Sequence, residues 1–190
     1  MKNWEGIEMR KIVAGLHMSL NGVVESPDMW VFPYNYSNDE MGQAIGAAMA
    51  ASDTMLLGRV TYQGFAAHWP HQTGDIADYM NNAPKLVVST TLDTVEWQNS
   101  TLISGNVVEE LTRRKQQPGR NISIVGSATL VRSLLREGLL DELQLLVCPI
   151  VVGSGKRLVE DGGAPVPLRL VDTKTFGTGV LSLTYTPAGK

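Results

Sequence analysis

The sequence predicts an α/β protein on one central sheet, largely parallel through its first two-thirds and antiparallel at its end. Three observations carry this. Short apolar runs alternate with helix-like segments from Ile12 to Leu135. From Leu143 onward the runs follow one another with no long helix between them. Several runs end in Gly, Ser or Thr just where a helix begins. Parallel strands need a crossover, usually a helix, whereas antiparallel neighbours need only a turn.

Taken in order, Ile12-Val13-Ala14-Gly15-Leu16 is an apolar run suited to a buried first strand. Ser19-Leu20-Asn21-Gly22 then turns, because Asn-Gly accepts positive φ. An aromatic segment follows with Trp30, Phe32, Tyr34 and Tyr36. Ser37 or Asn38 caps a helix that opens on Asp39-Glu40, acids that suit a first turn. Thr54 to Leu57 is the second strand, closed by Gly58, and Val60 to Phe65 is a short helix. Ile76, Tyr79 and Met80 mark further helical turns. Strands are expected at Lys85 to Ser89 and Ser100 to Ile103. A helix through Val107, Val108 and Leu111 stops by Pro118-Gly119. Ile122 to Val125 is the fifth strand, and a helix through Leu130, Val131, Leu134 and Leu135 ends near Gly138. Leu143 to Val152, Leu168 to Val171 and Val180 to Tyr185 are the closing strands.

The 190 residues fit one domain, expected over 10–190 behind a short extension at 1–9, with Met9 an alternative start. The net charge of −3 gives no nucleic-acid surface. Arg113-Arg114-Lys115 suits a solvated helix end. Cys148 is the only cysteine and sits among apolar neighbours, which makes it core. No run approaches the roughly 18 apolar residues of a membrane span. A cytoplasmic, soluble protein is the expectation.

Three strand-end turns share one chemical logic. Gly58-Arg59-Val60-Thr61 opens a helix whose free N–H groups attract phosphate, with a guanidinium and a hydroxyl beside them. Ser89-Thr90-Thr91 presents three hydroxyls after another strand, and Gly126-Ser127-Ala128-Thr129 opens a helix of small residues. Each alone reads as an ordinary cap or turn. Together, at the carboxyl ends of strands, they point to an extended ligand with several phosphates. Competing motifs fail. No Gly-x-Gly-x-x-Gly follows the first strand. Gly153-Ser154-Gly155-Lys156-Arg157 lacks the leading Gly and the final Ser/Thr of a P-loop, and suits a site-rim loop. No Gly-x-Ser-x-Gly elbow occurs. His68 and His71 have no third ligand nearby, so no metal is expected, and His17 reads as structural.

These pieces, in this order, resemble the dihydrofolate-reductase-like superfamily, and within it stand-alone homologues of the riboflavin-biosynthesis pyrimidine reductase (RibD C-terminal) domain. The matching segments are Lys11 to Ala14 with Ser19 to Gly22, Leu57 to Tyr62, Lys85 to Leu92, Val125 to Leu130, and Leu140 to Leu143 leading to Pro149 to Gly153. The resemblance implies a three-layer fold with about eight strands, helices on both faces, and a homodimer. It implies an NADPH-dependent reductase for a small pterin- or pyrimidine-like molecule, such as 5-amino-6-(5-phosphoribosylamino)uracil. By position, Ala14 and Leu16 would lie near the nicotinamide, with Gly22 nearby. Gly58, Arg59 and Thr61 would meet phosphates, Ser89 and Thr90 the 2′-phosphate, and Gly126, Ser127, Ala128 and Thr129 the pyrophosphate. Trp30, Phe32, Tyr34 and Gly153 would wall the substrate. Asn21, Asp39 and Glu40 are the catalytic candidates. Asn21 replaces the family's usual Asp, and an amide cannot act as a general acid. Zinc-deaminase motifs are absent, so the chain does not deaminate. Dihydrofolate reductase proper and a non-catalytic nucleotide-binding dimer are the alternatives.

Overall fold

The computed structural model describes residues 9–159 and 164–189, so most of the expected 1–9 extension lies outside the described residues. The first strand, β1 (Ile12–Ser19), runs three residues past its apolar stretch. A single turn, α1 (Asp28–Val31), and α2 (Asp39–Ala50) follow. Next come β2 (Ser52–Gly58), α3 (Arg59–His68) and a 3-10 turn at Trp69–His71. The chain continues through α4 (Asp75–Asn82), β3 (Lys85–Val88), β4 (Ser100–Ile103) and α5 (Val107–Lys115). It closes with β5 (Asn121–Val125), α6 (Ala128–Arg136), β6 (Glu142–Cys148), β7 (Leu168–Thr175) and β8 (Leu181–Pro187). The expected strand to Val152 stops at Cys148, because Pro149 has no N–H for a ladder.

All eight strands form one sheet in the order β4-β3-β2-β5-β1-β6-β8-β7. Pairs from β4 to β6 are parallel, and β8 pairs antiparallel with β6 and β7. This is the α/β architecture that the switch in pattern near Leu143 predicted.

Side chains alternate across each strand, and the core divides accordingly. On one face Ile12, Ala14, Leu16, Leu56, Ile122 and Ile124 pack with Leu111 of α5 and Leu130, Val131 and Leu134 of α6. On the other face lie two separate clusters. Met55, Leu57 and Val87 pack under Tyr62 of α3 and Met80 of α4. Cys148 packs with Trp30, Val31, Met41, Phe176 and Val180. Between them the sheet is bare: Gly15 is exposed, with open space where a side chain would sit. That gap positions the site.

Two ion-paired groups fix the sheet's amino end, and a third lies within α5. Arg10 reaches Asp53, Thr54 Oγ1 and the Arg120 carbonyl. Lys115 pairs with Asp141 at 2.5 Å, whose carboxylate also accepts Ile12 N–H. Arg113 and Arg114 pair with Glu110, the solvated helix end expected of that basic run. Lys85 is buried, yet its ammonium donates to the carbonyls of Asn81, Ala83 and Gln98 and lies 4.1 Å from the Trp97 ring centre.

Candidate functional site

Because β1, β2, β3 and β5 run parallel, their carboxyl ends share one edge of the sheet. Open α/β sheets bind ligands at that edge. A cleft of about 750 Å³ opens there. Gly15, Leu16 and His17 line its floor, and α3 and the start of α6 form its walls. Val24 to Pro27 and Lys156 form its rim.

The two wall helices differ from the others at their amino ends. Asn38 caps α2 by accepting Met41 N–H, and Asn106 caps α5 by accepting Glu109 N–H. Those helices also carry acids in their first turns, as does α4. By contrast, α3 and α6 have neither a side-chain cap nor a first-turn acid. Their leading N–H groups face the cleft unneutralised, which is the arrangement that attracts an anion.

A single hydroxyl ties these two helix starts together. Ser127 Oγ accepts Gly58 N–H at 2.9 Å and lies 3.0 Å from Thr61 Oγ1. Two consecutive left-handed residues, Gly126 (φ 79°) and Ser127 (φ 59°), aim it. At Gly126 glycine takes that φ without penalty. Gly58 needs glycine for a different reason. Its φ is −83°, open to any residue, but a Cβ there would collide with Ser127 Oγ.

Four ionisable side chains line the cleft: His17, Glu25, Arg59 and Lys156. Glu25 accepts Lys156 N–H and faces Lys156 Nζ at 3.7 Å. Arg59 is exposed and has no ion pair among the described residues. The imidazole of His17 is partly buried, and burial lowers its pKa. The P-loop-like segment is a rim loop stitched to the β1 turn, with Val24 N–H donating to Lys156 O and Leu158 N–H to Gly22 O.

The structure brings Leu16, Gly58, Arg59, Thr61, Gly126, Ser127, Ala128 and Thr129 onto this one cleft. Other expectations need correction. Ala14 has no exposed surface and packs in the core. Ser89 is buried, and its hydroxyl accepts Thr91 and Leu92 N–H, so its own turn occupies it. Thr90 is exposed but lies outside the cleft lining, as do Gly22 and Gly153. Trp30 is core, its indole N–H given to the Glu25 carbonyl. Phe32 and Tyr34 are exposed away from the lining, Tyr34 against Tyr36. The space between the aromatic segment and α2 is filled by the Trp30–Met41–Phe176 cluster, which leaves no room for a substrate walled by Trp30.

None of the catalytic candidates lines the cleft either. Asn21 accepts from Ser19 Oγ and Val152 N–H and donates to Val152 O, which is a turn-holding role. Glu40 pairs with Lys174 at 2.8 Å and accepts Gly177 N–H. The Lys174 ammonium, with that N–H, lowers its pKa and keeps it a carboxylate. Asp39 is exposed beside it. His17, expected to be structural, lies in the cleft lining. The signal was there: strand alternation puts Gly15 and His17 on one face of β1, and a glycine followed by a polar residue on that face marks open space.

A second depression, of about 860 Å³, lies by Tyr62, Asn81, Asn82 and Trp97. It meets the later turns of α3 and α4, where carbonyl ends disfavour phosphate. Among the described residues no group of His, Cys, Asp and Glu could hold a metal ion. Cys148 is buried, and burial pushes its thiol up to about 11. No described helix is long and apolar enough to cross a membrane.

Comparison with known proteins bears on this geometry. The RibD C-terminal domain model matches residues 10–182. The uncharacterized protein YyaP of Bacillus subtilis is 28% identical over 184 residues, covering 94% of this chain and 96% of that protein. A crystal structure of a putative riboflavin biosynthesis protein from Shewanella sp. PV-4 superposes with a TM-score of 0.73 at 17% identity, covering 93% of this chain and 98% of that one. Dihydrofolate reductase from Enterococcus faecalis, complexed with NADP(H), superposes with a TM-score of 0.56 at 16% identity, covering 94% and 96%.

Proposed function

The chain belongs to the RibD C-terminal domain family, and from that premise we propose that it is an NADPH-dependent reductase of a pyrimidine- or pterin-like small molecule. The observation that carries this is the pair of uncapped, acid-free helix starts, α3 and α6, joined by Ser127 across one cleft. Two such ends hold more than one phosphate. Gly126 to Thr129 would take the pyrophosphate, and Gly58, Arg59 and Thr61 a further phosphate. Thr90, exposed at the end of β3, is the remaining candidate for the 2′-phosphate. The nicotinamide end would reach the bare floor at Gly15 and Leu16.

When bound, the dinucleotide supplies hydride to a C=N or C=O group. The chain's own residues bind and orient. Backbone N–H groups of α3 and α6 hold the anion, and Arg59 adds a planar cation. Leu16 on the floor and the Val24–Pro27 rim would limit water at the reacting face once the ligands are bound. A homodimer and a cytoplasmic location belong to the same proposal, resting on the family resemblance.

Dihydrofolate reductase proper is the weaker reading. It needs a carboxylate facing the ligand from the first helix, and Asp39 and Glu40 stand off the cleft. The test is NADPH oxidation with 5-amino-6-(5-phosphoribosylamino)uracil and with dihydrofolate in parallel. Turnover of the pyrimidine alone supports the proposal. Turnover of dihydrofolate alone replaces it with the second reading.

A further inference from the structure

We propose that His17 is the proton donor of this cleft, giving its imidazole proton to the substrate atom left electron-rich when the neighbouring carbon receives hydride. The inference rests on the reductase reading above. Hydride transfer to C=N or C=O leaves the former π pair on nitrogen or oxygen, and that atom must take a proton. The groups first expected to give it do not serve: Glu40 is tied to Lys174, Asp39 lies off the cleft lining, and Asn21 carries no acid. The cleft itself has to supply the group.

His17 fits by position. It lies on the floor, next to the open surface at Gly15 and across from Leu146 of β6. The parallel partner β5 ends at Val125, opposite Gly15, so no strand covers His17 on that side. Among the described residues its ring makes no hydrogen bond or ion pair, and its nitrogens are not sealed from the cleft, since they are not among the buried unpaired atoms. The other ionisable groups lining the cleft are unsuited. Arg59, from α3, does not release its proton. Glu25 and Lys156, on the rim, face each other.

The charges around His17 explain how it would work. With the cleft empty, burial lowers the His17 pKa and holds the ring neutral at neutral pH. A dinucleotide brings several negative charges that favour the imidazolium. Binding therefore loads His17 with a proton. During reduction the substrate carbon gains hydride and the dihydronicotinamide is oxidised. The π electrons move to the heteroatom, which takes the His17 proton, and the neutral ring recovers a proton from solvent.

The experiment begins without turnover. The chain has three histidines, so the imidazole NMR spectrum is simple. The His17 signal is identified as the one missing from H17Q. NADP+ should shift that signal and raise its titration midpoint, leaving His68 and His71 unmoved. In single-turnover reduction of 5-amino-6-(5-phosphoribosylamino)uracil by NADPH, H17Q should slow the step about 100-fold or more. It should flatten the pH profile and leave NADP+ affinity within a few fold. NADP+ binding that leaves the His17 signal and midpoint unchanged overturns the proposal, as does H17Q with wild-type rate and pH profile. Wild-type protein that binds no NADP+ overturns the cofactor reading itself, a separate outcome visible before any variant is made.

Discussion

Replacing Gly58 with Ala tests the link between the two helix starts. The added Cβ would collide with Ser127 Oγ and lie 3.4 Å from Ser127 Cβ. Backbone conformation is no obstacle, since φ is −83°. The hydroxyl has to rotate away, which breaks its contacts to Gly58 N–H and Thr61 Oγ1. Two hydrogen bonds at about 0.5–1.5 kcal/mol each, with a stranded N–H, put the loss at about 2–4 kcal/mol. Ser127→Ala removes the same bonds without a clash and should cost about 1–3 kcal/mol. In the double variant the hydroxyl is already gone, and the remaining contact at 3.4 Å is ordinary packing. Adding Gly58→Ala to Ser127→Ala should then cost almost nothing, because reduced freedom of the unfolded chain offsets residual strain. Urea unfolding of all four proteins gives the coupling, expected to equal the single Gly58→Ala cost of about 2–4 kcal/mol. Effects that add to within about 0.5 kcal/mol would refute the Ser127 link.

Other consequences are as direct. Arg59→Ala should weaken NADPH binding by about 1.5–3 kcal/mol, roughly 10- to 150-fold, read by nucleotide fluorescence titration; unchanged affinity removes the phosphate role of Arg59. Without nucleotide, the lowered His17 pKa makes the unfolded chain bind a proton first as pH falls. Wild-type stability should therefore drop, relative to H17Q, between about pH 6.5 and the lower folded value, and a constant difference in urea midpoint across that range would count against it. Lys85→Met strands three carbonyls and should cost about 3 kcal/mol or more in thermal or urea unfolding, whereas Thr90→Ala, at an exposed turn, should cost less than about 0.5 kcal/mol.

The sheet was legible because its evidence is local. Runs such as Ile122 to Val125 and the switch after Leu143 carry strand type and direction in their own spacing. The anion-facing turns were legible for the same reason, since Gly58 and Gly126 each sit between a strand and a helix. What failed depends on contacts far apart in sequence. Trp30 was read as a cleft wall, but Cys148, Phe176 and Val180 enclose it. Glu40 is fixed by Lys174, and Asn21 by Val152, both over a hundred residues away. The Ser127 tie to Gly58 spans 69 residues and leaves no trace in either motif. His17 reads as structural from the sequence because the strand's apolar run ends at Leu16, while its ladder continues with β6 to Ser19.

The central claim is that α3 and α6 together grip a dinucleotide. A crystal structure of the protein soaked with NADPH measures this directly. The account predicts phosphate density within hydrogen-bond distance of the leading N–H groups at both helix starts, Arg59 to Thr61 and Gly126 to Thr129, with the nicotinamide over Gly15. A dinucleotide seated elsewhere, or density that touches neither Arg59 nor Gly126, would contradict it.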